Sequence, residues 1–374
     1  MKILVTTGIF PPDVGGPARF VPEVCKKLSI NHDITVITYS NKPFEELRYD
    51  FKVLRLNRNS IKLIRFLKTI KAIYKFGKDV DVIFVNGLWL EVYITNIILK
   101  KRIYRKIVGD PVWEKFNNKT SNFIDFDQFQ KAKKNFYYTF LTFLRNNSFK
   151  SSDLIIVPSD HLKLFVRKAG YNGEIIQINN GTKITEFNEE ITANNFLIVS
   201  RLVKHKNIDL VIKAFKKIND NLSLNFKLDI VGDGPEYKNL ENLISKLNLT
   251  EKIFLIGKKN EAELEKYYKE AKFFIQASSY EGSPHSILEA INYNNFVIAT
   301  NFGGVVEILS PNFSELIPLE LGMFNVEILY KVLENMLTNN LSISSKTNEA
   351  KNILNNNYNI NDTINSYIKL FNYV

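Results

Sequence analysis

The sequence predicts an α/β protein of two domains, each built on a parallel β-sheet. Short runs of β-branched and aromatic residues alternate with helical patterns along both halves of the chain, which is the order of βαβ units. The length of 374 residues exceeds what one hydrophobic core usually supports. An apolar content of 45% with 24% charged residues supplies enough material for two cores.

The first half opens with a short apolar strand that runs into a glycine-bearing loop and then a helix. The same alternation continues to about residue 158. The predicted strands are residues 3–5, 34–38, 51–56, 82–86, 106–109 and 154–158, and the predicted helices are 19–28, 61–76 and 127–147.

The second half repeats the alternation after a turn-forming run of Asn, Gly and Thr at 178–182. The predicted strands are residues 196–200, 226–231, 253–256, 273–276 and 296–299, and the predicted helices lie near 207–219, 235–247, 261–270 and 284–293. We therefore predict domains of residues 1–185 and 186–357. The final amphipathic helix, about 358–374, is expected to pack back on the first domain.

The formal net charge of +11 is concentrated in the first half. Residues 1–190 contain 31 Lys and Arg against 19 Asp and Glu, whereas the remainder contains 19 against 20. This asymmetry predicts that the N-terminal domain faces an anionic partner.

Composition also excludes several classes of protein. The single cysteine, Cys25, rules out a disulfide framework and suits a reducing compartment. The four histidines are scattered, so no metal cluster is expected. The start lacks the apolar run of a signal peptide, and no stretch approaches the roughly 18 apolar residues of a membrane span. We expect a cytoplasmic protein that can bind the inner membrane surface peripherally.

Two carboxylates bracket the start of a predicted helix in the second half. Glu281 follows the strand at 273–276, and Glu289 lies about two turns beyond Pro284. Both can point into the crevice at the carboxyl ends of the strands, where open α/β sheets bind ligands. Acceptors beside a helix N-terminus suit a ligand with several hydroxyls and a phosphate, such as a sugar nucleotide. A capping carboxylate and a solvated helix Glu are the alternative.

Cationic and glycine-bearing loops follow the neighbouring strands. Arg201 and Lys206 could neutralise a departing diphosphate, although two solvated loop cations would have the same sequence. Gly232 and Gly234 would allow backbone to approach a nucleotide. Similar turns occur at Gly257-Lys258 and at Gly303-Gly304. Each signal is weak alone, but their order and spacing are specific.

This order of motifs resembles glycosyltransferase family 4, whose members are retaining enzymes with the GT-B fold. The family pattern runs G-R-L-x-x-x-K-G, V-G-x-G-P, S-x-x-E-G-x-x-x-x-x-L-E-A and G-G-x-x-E. The matching residues are Ser200-Arg201-Leu202 with Lys206, Gly232-Asp233-Gly234-Pro235, Glu281-Gly282 with Leu288-Glu289-Ala290, and Gly303-Gly304 with Glu307. The resemblance is close over about 196–310 and looser over nearly the whole chain, including Gly15-Gly16 in the first loop.

The resemblance implies two Rossmann-like domains facing across a cleft, with the donor in the second and the acceptor in the first. Glu281 would bind hydroxyls of a transferred hexosyl group, Glu289 the ribose, and Arg201 with Lys206 the diphosphate. The donor would be a nucleotide-diphosphate sugar, the acceptor a sugar or a lipid-linked molecule, and no metal or other cofactor is implied. The other implied donor-binding residues are Gly15, Gly16, Gly232, Gly234, Gly257, Lys258, Gly282, Ser283 and His285.

The acceptor side departs from the family pattern. Many relatives carry a histidine where this chain has Gly109-Asp110, followed by Trp113-Glu114. We predict that Asp110 supplies the catalytic polar contact there. The resemblance implies transfer in the synthesis of cell-envelope polysaccharide, lipopolysaccharide or glycolipid. The missing histidine leaves two alternatives, a GT-B sugar-nucleotide epimerase or hydrolase and a catalytically silent sugar-nucleotide-binding protein.

A basic helix at 61–78 is the last feature. Its cations recur every three or four residues beside an apolar face. One interpretation is a helix that covers the sheet, and the other is docking onto an anionic membrane that carries a lipid-linked acceptor. No nucleic-acid partner is expected, because no recognised binding motif accompanies the charge. The basic stripe is Lys62, Arg65, Lys68, Lys71, Lys75 and Lys78, and the apolar face is Ile61, Ile64, Leu67, Ile70, Ile73 and Tyr74.

Overall fold

In a computed structural model the chain divides into two compact units. The structure describes residues 1–13, 15–41, 49–120, 123–187, 189, 191, 193–222, 224–320, 323–338 and 343–372. The first unit comprises Met1–Val112, Lys134–Asn179 and Asn361–Val374, and the second comprises Trp113–Lys133 and Asn180–Ile360. The division therefore falls at 179/180 instead of 185/186. The segment 113–133, which the sequence analysis placed in the first domain, lies in the second unit.

The elements up to residue 179 alternate strand and helix. The strands are β1 (Lys2–Thr6), β2 (Asp33–Ser40), β3 (Lys52–Asn57), β4 (Val82–Val85), β5 (Arg102–Lys106), β6 (Leu154–Val157) and β7 (Glu174–Gln177). The helices are α1 (Gly16–Leu28), α2 (Lys62–Gly77), α3 (Trp89–Leu99), α4 (Pro111–Asn117), α5 (Phe126–Lys131), α6 (Phe136–Lys150) and α7 (Asp160–Lys168). Within the described residues, the strands form one parallel sheet in the order β3-β2-β1-β4-β5-β6-β7.

The later part of the chain forms a second parallel sheet and ends in three consecutive helices. Its strands are β8 (Asn195–Val199), β9 (Lys227–Val231), β10 (Ile253–Gly257), β11 (Phe273–Gln276), β12 (Phe296–Thr300) and β13 (Glu315–Ile317), with a hairpin of β14 (Leu319–Glu320) and β15 (Met323–Phe324). The helices are α8 (Ile208–Asn221), α9 (Tyr237–Lys246), α10 (Glu261–Glu270), α11 (His285–Asn292), α12 (Val326–Thr338), α13 (Ser344–Asn357) and α14 (Ile360–Asn372). The strand order in the described residues is β10-β9-β8-β11-β12-β13.

Helices cover both faces of the first sheet. Consecutive residues of a strand point to opposite faces. Ile83 of β4 therefore joins the buried cluster under α2 and α3. Phe84 contacts α14 on the other face, with ring centroids 5.8 Å from Tyr367 and 5.5 Å from Phe371. The last helix of the chain thus packs on the first sheet.

The second sheet is covered in the same way. Phe273 of β11 belongs to the core under α8 and α12, and its ring lies 4.8 Å from that of Phe196. The next residue, Phe274, belongs to the core under α10 and α11. Two buried layers therefore hold the ends of these strands in fixed positions. Across the described parts of the chain, no helix is long and apolar enough to cross a membrane.

The predicted fold class of two parallel-sheet, Rossmann-like α/β units is confirmed. The strand predicted at 106–109 is wrong, because β5 covers Arg102–Lys106 and ends where the prediction begins. Three of its five residues are cationic, which hides the strand pattern, yet Arg105 and Lys106 are buried. The helix predicted at 127–147 is two helices, α5 and α6. The sequence analysis did not predict α3, α4, α7, α12, α13, β7, β13, β14 or β15.

Candidate functional site

The candidate site lies at the carboxyl edge of the second sheet, where the strand order reverses. β8 and β11 are neighbours, and the chain continues from them to β9 on one side and to β12 on the other. Such a switch point leaves a crevice between the two loops that follow the strands. The loop after β8 carries Arg201 and Lys206, and the loop after β11 carries Glu281. The fold therefore brings together residues that lie far apart in the chain.

Glu281 is held by three hydrogen-bond donors at one carboxylate oxygen. Lys206 forms an ion pair with Oε1, and the two side chains are 13% and 14% exposed. Gln276 Nε2 donates to the same oxygen, as does Ser278 Oγ at 2.8 Å. None of these donors contacts Oε2. The second oxygen is therefore the one placed to accept a hydrogen bond from a ligand.

The groups that orient Glu281 are themselves oriented. Gln276 is the last residue of β11 and is 4% exposed. Its Oε1 accepts from Ser286 Oγ at 3.2 Å, so its amide nitrogen faces Ser278 and Glu281. The backbone carbonyl of Ser278 accepts from Thr300 Oγ1 at 2.6 Å. Sequence reasoning missed Gln276 and Ser278, although buried polar residues at the end of an apolar strand are a recognisable signal.

A glycine pair lies directly against the Glu281 backbone. A Cβ atom on Gly303 would lie 2.4 Å from the Glu281 carbonyl oxygen, and one on Gly304 would lie 1.9 Å from that of Gly282. Gly303 also has a φ of +62°, a conformation that glycine adopts without strain. Gly304 N donates to the Glu281 carbonyl at 2.9 Å. The glycine turn after β12 therefore fixes the position of the Glu281 backbone relative to β12.

The glycines after β9 and β10 bring three neighbouring loops into backbone contact. A Cβ atom on Gly232, where φ is +151°, would lie 1.8 Å from the Ser200 carbonyl oxygen, and one on Gly234 would lie 2.3 Å from that of Leu202. Gly232 N donates to the Gly257 carbonyl at 3.0 Å. Lys258 follows Gly257 at the end of β10. Backbone packing around Arg201 thus requires glycine at 232 and 234, and the contact of these glycines with a donor stays a prediction.

Arg201 does not join the Glu281 cluster in this structure. Its guanidinium lies 3.2 Å from a carboxylate oxygen of Glu114, and its side chain is 61% exposed. Lys204 Nζ donates to the Thr120 carbonyl at 3.1 Å. Glu114 and Thr120 both lie in the 113–133 segment of the second unit. This segment therefore contacts the cationic loop directly.

The same segment supplies an aromatic support for both functional loops. Trp113 is fully buried, and its ring centroid lies 5.3 Å from that of His205 and 5.1 Å from that of Tyr280. Phe126 stacks on Tyr280 with a centroid distance of 4.1 Å. His205 precedes Lys206, and Tyr280 precedes Glu281. Burial, with smaller contributions from nearby Lys206 and Arg201, lowers the pKa of His205 to about 2, so its ring is neutral.

Glu289 lies on α11 and accepts a hydrogen bond at Oε2 from Tyr268 OH, at 2.8 Å. Tyr268 belongs to α10 and is 2% exposed. At the start of α11 the Ser283 carbonyl accepts from Asn180 Nδ2 at 3.0 Å, and His285 is the first helical residue. Hydrogen bonds therefore fix both the Glu289 side chain and the backbone at the start of α11.

The surroundings of Asp110 do not fit the predicted polar contact with an acceptor. Its side chain is fully buried and pairs through Oδ2 with Arg145, which is 2% exposed. Oδ1 accepts from Val112 N at 2.9 Å, near the start of α4. Because both oxygens are engaged and none of the side chain is exposed, Asp110 is not available to an acceptor. Gly15 and Gly16 also lie in the first unit, at the start of α1.

Comparisons with known proteins agree with the motif resemblance. Residues 182–342 match the family described as "Glycosyl transferases group 1". The chain is 26% identical over 323 residues to an uncharacterised glycosyltransferase of Methanocaldococcus jannaschii, covering 85% of this chain and 84% of that protein. It is 31% identical over 157 residues to the N-acetylgalactosamine-N,N'-diacetylbacillosaminyl-diphospho-undecaprenol 4-alpha-N-acetylgalactosaminyltransferase of Campylobacter jejuni, covering 41% and 40% of the two chains.

A solved structure shows the fold. HepE of Anabaena, solved in complex with UDP and glucose, matches with a TM-score of 0.79 over 100% of both chains, at 15% identity. The expected GT-B fold is therefore confirmed.

Proposed function

We propose that the chain, which has the GT-B fold and matches the group 1 glycosyltransferase family over residues 182–342, moves a hexosyl group from a nucleotide-diphosphate sugar to an acceptor hydroxyl with retention of configuration. The observation that carries the proposal is the Glu281 cluster at the switch point of the second sheet. Three donors hold Oε1, so the ionised carboxylate presents Oε2 to a sugar hydroxyl. Such a fixed acceptor orients a sugar without forming a covalent bond to it.

The cations beside Glu281 suit the other half of the donor. When the bond between the anomeric carbon and the diphosphate breaks, negative charge grows on the departing diphosphate. Fixed cations and a helix N-terminus stabilise such charge in the transition state. Arg201, Lys206 and the start of α11 supply these groups, so the proposed reaction needs no divalent ion.

The relatives indicate which substrates to test first. HepE was solved with UDP and glucose, and the Campylobacter jejuni relative is named for an acceptor on diphospho-undecaprenol. We therefore propose a uridine-diphosphate hexose as donor and a lipid-linked saccharide as acceptor. The enzyme would then serve cell-envelope glycan synthesis at the cytoplasmic face of a membrane.

A donor screen with and without lipid extract tests the proposal. One nucleotide sugar should raise the melting temperature, and product should form only when acceptor is present, with EDTA changing the rate less than twofold. The anomeric configuration of the product is read by NMR. Equal turnover without acceptor would support the epimerase or hydrolase alternative. Donor binding without any turnover would support a silent sugar-nucleotide-binding protein.

Replacing Gln276 by Leu is expected to lower kcat by roughly ten- to a hundredfold, because one hydrogen bond to a charged group contributes roughly 1.5–3 kcal/mol. The donor KM should change less than twofold, since Gln276 acts through Glu281 and does not touch the substrate. Steady-state kinetics at saturating acceptor measure both constants. Ser314→Ala is the matched control, because its buried hydroxyl donates to the Ser310 carbonyl, outside the Glu281 cluster. A rise in KM at constant kcat would show that Gln276 contacts the donor itself.

Replacing Glu114 by Gln is expected to tighten binding of UDP. Glu114 neutralises Arg201 in the structure, so a diphosphate must displace it. An exposed ion pair contributes about 0.2–1 kcal/mol, which corresponds to a Kd up to about fivefold lower in the variant. Calorimetric titration with UDP measures the change, and Glu241→Gln, which breaks a similar exposed pair with Lys238, serves as control. Weaker UDP binding by the Glu114 variant would mean that this carboxylate positions Arg201 for the donor.

A further inference from the structure

Three helices of the first unit share an exposed apolar surface. α3 packs against both α2 and α6, and α2 and α3 cover one face of the first sheet. Large apolar side chains remain exposed on the three helices. We call them the α2–α3–α6 surface: Leu63 (67% exposed), Leu67 (56%) and Tyr74 (48%) on α2, Ile97 (63%) and Ile98 (71%) on α3, and Phe136 (87%), Phe140 (49%) and Phe143 (60%) on α6.

Most of the exposed apolar residues are ordered along their helices, whereas Ile64 (44% exposed) and Tyr137 (45%) lie off the two stripes. Leu63, Leu67 and Tyr74 lie within about 40° of one another around α2, given 100° per residue. The three phenylalanines lie within about 60° around α6 by the same rule. The rings of Phe136 and Phe140 are stacked, with centroids 6.5 Å apart. Two apolar stripes of this kind are more than the scattered apolar residues of an ordinary surface.

The charge on these helices has one sign. Lys62, Lys68, Lys71 and Lys75 are all exposed on α2. Neither α2 nor α6 contains an aspartate or glutamate. The single acidic residue of α3, Glu91, is mostly buried, where it accepts a hydrogen bond from Tyr39 OH at 3.3 Å. The surface therefore combines apolar side chains with lysines and exposes little negative charge.

We propose that the α2–α3–α6 surface docks on an anionic lipid bilayer, with the α6 phenylalanines at the acyl boundary and the α2 lysines against the headgroup phosphates. Aromatic side chains suit the interfacial zone, and lysines gain from anionic lipid within a Debye length. A second copy of the chain fits less well, because a self-complementary contact would place lysines against lysines. The proposal rests on the proposed function in one respect only, namely that docking would bring the enzyme to a lipid-linked acceptor. Lipid binding itself requires no turnover.

Co-sedimentation with vesicles tests the proposal without donor or acceptor. The full chain should bind phosphatidylglycerol vesicles and stay in solution with phosphatidylcholine vesicles. The F136S/F140S/F143S variant should lose at least tenfold in the bound partition. The K62Q/K68Q/K71Q/K75Q variant should lose about fivefold per lysine that lies at the surface.

Matched controls separate this surface from general effects. I30S/L164S removes two other exposed apolar residues of the first unit, 73% and 59% exposed, and K26Q/K27Q removes two exposed lysines of α1. Both should bind as the wild type does. A UDP-induced rise in melting temperature, retained by every variant, shows that the donor site is intact even if transfer itself has not been found.

Three results would overturn the proposal. In the first, the wild-type chain fails to bind phosphatidylglycerol vesicles. In the second, the surface and control variants bind equally. In the third, light scattering shows a dimer in solution that F136S/F140S/F143S dissociates, which would assign the surface to a second copy of the chain.

Discussion

Replacing Glu281 by Gln is expected to lower kcat by about a thousandfold, the upper range for removing one preorganised electrostatic group. The amide has nearly the same shape, but it cannot form the ion pair with Lys206. Its carbonyl oxygen can take the Oε1 position and accept from the three donors, but its NH₂ group then stands at the Oε2 position, where it cannot accept a hydrogen bond from a sugar hydroxyl. The sugar would therefore lose an ionised acceptor held in place by Lys206, Gln276 and Ser278. Steady-state kinetics with the donor found by the screen measure the loss.

The control for this variant is Glu334→Gln. Glu334 is likewise a glutamate that accepts a hydrogen bond, from Tyr330 OH at 2.7 Å, but it lies on α12, away from the Glu281 loop in the chain. Its kcat should stay within twofold of the wild type. If Glu281→Gln keeps kcat within tenfold while its melting temperature is normal, the carboxylate is not the sugar-binding group.

The sequence analysis located the loops that follow the strands of the second sheet well for a physical reason. Strands β8, β9, β11 and β12 are mostly buried and apolar and are separated by amphipathic helices, so local patterns locate their ends. Ligand-binding loops follow those ends. The contact between Lys206 and Glu281 was not predictable in the same way, because it joins residues 75 apart. It exists because β8 and β11 are neighbours in the sheet. Local sequence periodicity does not reveal which strands are neighbours.

The errors have the same origin. Asp110 looks like a catalytic carboxylate in the sequence, and only the fold shows that Arg145 on α6 neutralises it in a buried site. Trp113 looks like part of the first domain, but its ring packs against His205 and Tyr280 in the second unit. Tertiary contacts decided both cases, and the spacing of residues along the sequence does not reveal such contacts.

The basic helix shows what periodicity can and cannot give. The sequence analysis grouped Leu67, Ile73 and Tyr74 on one apolar face. In the structure Ile73 is fully buried, whereas Leu67 and Tyr74 are exposed beside Leu63. The helical spacing was correct, but the side that faces the sheet depends on how α2 packs on β2 and β3. The exposed stripe is therefore a finding of the structure.

Replacing Lys206 by Met is expected to lower kcat/KM for the donor about a hundredfold, within the range for one electrostatic group of an active site. The resemblance assigns this lysine to the diphosphate, whereas the structure pairs it with Glu281. The variant should also melt at a lower temperature, since the Glu281 carboxylate loses its charged partner in a site that is largely buried. Lys213→Met is the control, because that lysine pairs with Asp209 on the exposed side of α8.

A double-mutant cycle decides between the two roles of Lys206. If the lysine acts through Glu281, Lys206→Met should cost less than tenfold in the Glu281→Gln background, because the pair is already broken there. If it acts directly on the diphosphate, the full hundredfold loss should persist, since that contact does not need the carboxylate. We expect the smaller loss, because Lys206 Nζ, Gln276 Nε2 and Ser278 Oγ converge on one oxygen of Glu281. We therefore expect the main effect of Lys206 to be the orientation of the sugar-binding carboxylate. Its electrostatic attraction to the diphosphate is expected to be the smaller effect.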